Sequence, residues 1–286
     1  MSEVGTPRTV LLDAPRGAAL DVAAAGRALA PLLGCPRPDA TRLVRYSAGL
    51  LLEAVPAERA DAAVAALRAA GVAARAVDAP GLPDVAPPIK AARALPDEAG
   101  LDVAIGHDLR ARLVPWDDVR AVHVFALEEP VPPPEPADPR KPKLPRMPVE
   151  ARLAAELDVS RTPEVALLLE ELERRRARER RRYRLGLDIL VRGGAPAADP
   201  APVPLSVFRC FRDGFSFEGW GPPEVVSSFE RFMALGLGLA ERARSALVPE
   251  ATRDFLIHGV LEPVVFGYED ELGRYLRWLA AAEAAR

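Results

Sequence analysis

Between residues 129 and 148 the chain reads EPVPPPEPADPRKPKLPRMP, and no other stretch restricts its folding as strongly. Proline locks φ and lacks the N–H that a helical turn or a sheet ladder requires. Nine prolines in this span exclude both elements, so a semi-rigid extended linker is expected. The linker divides two groups of strand-like segments. Before it, residues 89–95, 101–105, 109–114 and 119–127 lose the helical period and read as strands, with a hairpin turn signal at Gly106-His107-Asp108. In the last of these, Val122, Val124 and Ala126 face one side and His123 and Phe125 the other. After it, residues 185–191, 205–211 and 215–220 repeat the pattern, with a turn at Arg212-Asp213-Gly214.

Directly behind the linker the pattern turns helical. Residues 149–157 form one short helix, and Thr162-Pro163 offers an N-cap and first position for a second. Val165, Leu168, Leu169 and Leu172 give this second helix a single apolar stripe, and it continues from Glu173 to Arg184 with eight arginines. A long amphipathic helix is expected over 223–247, then helices over 250–259 and 269–285.

The first 83 residues alternate between the two periods. A short apolar strand at 9–12 precedes a helix over 18–33, which Gly34 ends, and a second helix over 39–46. A buried strand over 49–55, a helix over 57–70 opened by Pro56 and ended by Gly71, and a strand over 72–77 complete a βααβαβ order. Aromatic residues are only 6% of the chain and alanine is abundant, so its helices are expected to pack closely through small side chains.

Two resemblances arise from these residues. Gly34, Ala40, Leu43 and Val44, followed by Glu58, Ala60, Leu67 and the Ala70-Gly71-Val72 ending, make residues 33–77 similar to the C-terminal domain of the bacterial ribosomal stalk protein, whose fold is related to that of the Clp protease adaptor. The stalk family meets translation factors through lysines on its short helix. Here Pro38 and Thr41 occupy those places, so the resemblance implies the fold and not the factor binding. The corner Val114-Pro115-Trp116-Asp117-Asp118-Val119 between two strands resembles the bacterial pleckstrin-homology-like domains, and that resemblance implies that Trp116 closes a barrel corner by packing. Four strands before the insert, three after it and a closing helix follow the order of that family.

Together these readings give an α+β chain: a stalk-protein-like βααβαβ domain over 1–83, and a split, seven-stranded, antiparallel barrel-like domain over 89–128 and 185–247 with its closing helix. A linker-and-arginine-helix insert over 129–184 and C-terminal helices over 248–286 complete it. Should the split barrel not form, residues 149–286 would make a separate α+β domain.

Composition narrows the function classes. The net charge is −3, so the whole chain is no general polyanion binder. Cys35 and Cys210 stand far apart without a partner motif, against a secreted disulfide scaffold and against a zinc site. No apolar run approaches the roughly 20 residues of a membrane span, and the N-terminal pattern is not that of a signal peptide, so the expected compartment is the cytoplasm, without membrane insertion. His107, His123 and His258 have no Cys, Asp or Glu at metal-ligand spacing, so no metal and no cofactor are expected. Asp117 and Asp118 are adjacent and would point to opposite sides in a strand. Gly193-Gly194 lacks the lysine and helix of a phosphate loop, and Gly236 and Gly238 sit inside a helical pattern as close-packing positions. Phe255, Phe266, Tyr268, Tyr275 and Trp278 read as core, and the stripe Leu272, Tyr275, Leu276, Leu279 as a face that docks on the barrel or on a second subunit. The oligomeric state is not encoded in these patterns.

The outstanding cluster is Arg174, Arg175, Arg176, Arg178, Arg180, Arg181, Arg182 and Arg184. Glu170, Glu171 and Glu173 lie three or four positions from several of them, which makes a self-paired solvated helix one reading. Contact with an acidic protein surface or with phosphate is the other, because the guanidinium fork suits both. The expected function is a non-enzymatic protein-interaction or regulatory adaptor. The alternatives are a nucleic-acid or ribosome-associated protein using the arginine-rich helix, and an enzyme with a scattered site.

Overall fold

The computed structural model describes residues 6–15, 20–106, 110–129, 182–193, 205–220 and 227–286. Met1–Leu127 together with Arg184–Arg286 make one compact unit, and Glu128–Tyr183 make another. The expected helices over 149–157 and from Thr162 onward, most of the linker, the turn residues His107 and Asp108, Gly194, and the beginnings of the helices expected at 18 and 223 lie outside the described residues.

The first six elements are β1 (Arg8–Leu12), α1 (Val22–Leu33), α2 (Arg37–Tyr46), β2 (Leu50–Val55), α3 (Ala57–Ala69) and β3 (Ala74–Asp78), in the expected βααβαβ order. The Asp21 carboxylate caps α1 by accepting from the Ala24 amide at 2.8 Å, and Gly34 ends it in the left-handed region at φ 63°. β1 lies between β2 and β3 and is antiparallel to both. Val10 and Leu12 point into an aliphatic core with Leu29, Val44, Ala60 and Leu67, whereas Leu11 belongs to a second cluster on the opposite face. An uninterrupted apolar run with both faces covered is the pattern of a fully buried strand.

The second sheet contains β4 (Ile89–Pro96), β5 (Gly100–Ile105), β6 (Arg110–Pro115), β7 (Val119–Glu129), β8 (Arg182–Arg192), β9 (Leu205–Phe211) and the two-residue β10 (Val265–Phe266). Its order is β10-β7-β8-β9-β4-β5-β6, so the strand groups on either side of the linker do share one sheet. The sheet is open and mixed, not an antiparallel barrel: β4 runs parallel to β9, and β10 parallel to β7. The direction of β4 is set where the segment before it docks, with Leu205 N–H donating to the Asp84 carbonyl and Ala86 N–H to the Leu205 carbonyl. The expected strand over 215–220 is not one. Its backbone makes only an isolated bridge, Ser216 with Arg93, between left-handed glycines Gly214 (φ 85°) and Gly219 (φ 78°). Phe215, Phe217 and Trp220 are buried as a plug, and the Trp220 indole donates to the Ala94 carbonyl.

Three helices complete the unit: α4 (Ser228–Arg242), α5 (Glu250–His258) and α6 (Glu269–Ala284). The Ser227 hydroxyl caps α4 by accepting from the Glu230 amide at 3.1 Å. With no barrel end to close, α4 instead lies over the sheet, and a methyl group placed on Gly236 would strike Leu256 of α5. α6 is packed between the two sheets: Leu272, Tyr275, Leu276 and Leu279 join Leu11 and Leu50 of the small sheet and Phe125 and Leu190 of the large one in a single cluster. The Trp278 indole donates to the Leu12 carbonyl at 2.7 Å, and Arg75 donates to the Ala282 carbonyl at 3.3 Å.

Candidate functional site

Of the arginine cluster, Arg174, Arg175, Arg176, Arg178, Arg180 and Arg181 lie outside the described residues. Arg182 and Arg184 are not helical. They belong to β8, where Arg182 is exposed and the Arg184 guanidinium stacks 3.7 Å over the Phe211 ring. Register explains the correction, because the strand alternation of Leu185, Leu187, Ile189 and Val191 extends backward through Tyr183. Trp116 sits half-buried in a 3-10 turn between β6 and β7, with Asp117 and Asp118. Its indole donates to the Asp97 carbonyl at 3.0 Å, tying this corner to the β4–β5 turn, and Arg242 lies 5.9 Å from its ring.

The two described histidines do not converge. His258 ends α5 in solvent, His107 lies outside the described residues, and His123 is buried with its ring 4.6 Å from Tyr275 and 5.6 Å from Phe266. Among the described residues no group of three or more His, Cys, Asp or Glu could hold a metal ion, and no helix is long and apolar enough to cross a membrane.

Asp188 of β8 is fully buried, and Arg209 of β9 grips it with both arms of its guanidinium, at 2.7 and 2.8 Å. Burial pushes the Asp188 carboxyl above the usual aspartate range, and the Arg209 hydrogen bonds and charge act against that push. Burial and the neighbouring Asp188 charge also drive the Cys210 thiol far above the ordinary range, so it stays protonated and unreactive. Arg209 forms the inner wall of a cleft of about 620 Å³ between Val85–Pro88 and the first half of α6, which Glu269 and Asp270 also line. Arg274 lines this cleft too, and its buried Nε has no hydrogen-bond partner among the described residues. Sequence reasoning passed over this pair, although a lone aspartate inside LGLDILV and a lone arginine inside VFRCF were the signals available.

A second feature lies on the outer side of α4 and α5. Leu237 is 44% exposed and Ile257 is 64% exposed, and both line a groove of about 320 Å³ between the two helices. Leu256, Val248 and Ala240 contribute to its floor, and Glu241, Arg244 and Arg253 form its rim. Neither Arg244 nor Arg253 makes a salt bridge with a described residue. Leu237 falls off the inward stripe of α4, formed by Phe232, Leu235 and Leu239, and that misplacement is visible in the sequence.

The chain matches no protein-family model, no curated protein and no solved structure.

Proposed function

We propose that the chain is a non-catalytic interaction or regulatory adaptor of the cytoplasm, and that the α4–α5 groove receives an amphipathic helix from a partner protein. The observation that carries this reading is the joint exposure of Leu237 and Ile257 along one groove. Exposed aliphatic side chains gathered along one groove with a polar rim support a docking surface. A groove between two helices with an apolar floor suits a third helix that inserts side chains at i, i+3, i+4 and i+7. Arg244 and Arg253 outnumber Glu241 on the rim and favour acidic flanks on the incoming helix.

The experiment is photo-crosslinking in the native host from a benzoylphenylalanine placed at position 257 or 237, with exposed position 113 as control. The crosslinked partner segment is then resynthesised and titrated against the full chain. The expected result is one acidic-flanked amphipathic segment, captured from the groove and not from position 113, that binds at least tenfold more weakly to Ile257→Glu. Equal capture at position 113, or equal affinity for the variant, would refute the reading.

A further inference from the structure

The outward face of α1 and α2 carries a different chemistry. Gly26 of α1 lets the helices cross in contact, since a methyl group there would collide with the backbone of Thr41. Arg27 and Arg42 follow these two residues directly and flank the crossing. Pro38, Thr41, Arg42 and Arg45 stand at i, i+3, i+4 and i+7 and make one stripe of α2. The stripe, with Arg27, Arg37 and Tyr46, lines a concavity of about 600 Å³ that includes no carboxylate.

Pairing separates these arginines from others in the unit. Arg8 is bridged to Asp61 and Asp78, Arg75 to Asp13, Arg120 to Glu283 and Arg277 to Glu53. Arg27, Arg37, Arg42 and Arg45 are all exposed, and their guanidinium groups make no salt bridge or hydrogen bond with any described residue. Like charges along one helical face repel and weaken the helix unless an anion lies between them. Acidic residues were available to the fold: Asp39 lies on the same helix, but it lines the neighbouring concavity. Beside the four cations stands Tyr46, an aromatic ring 45% exposed.

We propose that this face binds single-stranded nucleic acid. The guanidinium forks match phosphate oxygens, and the exposed Tyr46 ring is a platform on which an unpaired base stacks. A ring of this kind favours nucleic acid over an acidic peptide, which would use the cations and leave the ring idle. It favours a single strand over a duplex, whose bases are already stacked on each other. The next concavity along α2 is lined by Asp39 and Glu53 and by Leu43, Leu50 and Leu51, so the phosphates are confined to the arginine-lined side of Tyr46. The site draws on no residue of the α4–α5 groove and on none of the arginines between 174 and 181.

The test is fluorescence anisotropy of a labelled oligothymidylate titrated with the full chain over a series of salt concentrations. Each phosphate contact contributes about −0.7 to the slope of log affinity against log salt, so four arginines contribute about −2.8. Three variants are compared, each checked for native circular dichroism. Arg42→Glu/Arg45→Glu is expected to weaken binding at least tenfold and to flatten the slope by about 1.4. Tyr46→Leu is expected to weaken it by between about fivefold and a hundredfold with the slope unchanged. Arg174→Glu/Arg175→Glu is expected to leave both effects in place. The proposal is overturned if the wild type does not bind, or if the Arg42/Arg45 variant binds as the wild type does. It is equally overturned if polyglutamate competes as well as the oligonucleotide while Tyr46→Leu has no effect, since the face would then be a generic polyanion surface.

Discussion

Between α1, α3 and the three-stranded sheet the buried cluster contains only Val, Leu and Ala, with Leu29 and Leu67 among its largest members. Around α6, between the two sheets, it contains Phe125, Phe211, Phe266, Tyr275 and Trp278. The first region gains stability from many small contacts and near approach of backbones. The second gains it from a few large rings, together with a buried ion pair and indole hydrogen bonds. The difference teaches where each region fails first: loss of one large ring leaves the biggest hole in the aromatic layer, and added atoms at a helix crossing clash in the aliphatic one. It also explains why the exposed chemistry differs, since the short α1–α2 pair has spare surface for arginines, whereas α4 and α5 have surplus apolar surface.

The comparison breaks most readily at Trp278. Trp278→Ala removes a buried ring and leaves the Leu12 carbonyl without its donor, and is expected to cost about 5 kcal/mol by urea unfolding. Asp188→Ala is expected to cost about 4 kcal/mol, because Arg209 stays buried with an uncompensated charge, while Asp188→Leu/Arg209→Met should recover most of that loss. The single change Arg209→Met sharpens the same point through pH. It removes the partner that lowers the Asp188 pKa, so the folded-state value rises further above the unfolded one. The protonated carboxyl then supports the fold below the ordinary aspartate pKa, and that support is lost as pH rises through the raised value. Arg209→Met should therefore lie closest to wild type in acid and fall furthest behind it near neutrality. In the aliphatic layer, Gly26→Ala should cost about 2 kcal/mol by forcing α1 away from Thr41. Leu237→Ser, on the open groove, should change stability by no more than about 0.5 kcal/mol.

The aliphatic layer was the more legible region. Gly34 and Gly71 mark helix ends, Pro56 a helix start, and the apolar spacing between them is regular, so each of the six elements was placed to within a few residues of its observed bounds. Six strands of the large sheet were legible for the same reason. Their directions were not, because alternation of side chains is identical in parallel and antiparallel ladders. The strand over 215–220 misled because Phe215 and Phe217 alternate with polar Ser216 and Glu218, although the left-handed Gly214 and Gly219 confine that backbone to turns. Val265–Phe266 is too short to leave any period. The candidate surfaces were less legible than the fold. The arginine run stands out by composition, yet its last members belong to β8, where Arg184 stacks on Phe211, while Arg27, Arg37, Arg42 and Arg45 are scattered over 19 positions of sequence and meet only because α1 and α2 cross at Gly26.

The central claim is that α6 welds the two sheets into a single cooperative unit, so that the basic α1–α2 face and the apolar α4–α5 groove are carried on one compact unit. Hydrogen exchange followed by mass spectrometry across a urea series reads this directly, on peptides covering residues 50–55 of β2 and 185–191 of β8. The account predicts that both peptides lose protection at one urea midpoint, and that Trp278→Ala lowers both together. Loss of protection in β2 well before β8, with Trp278→Ala affecting only one of them, would contradict it.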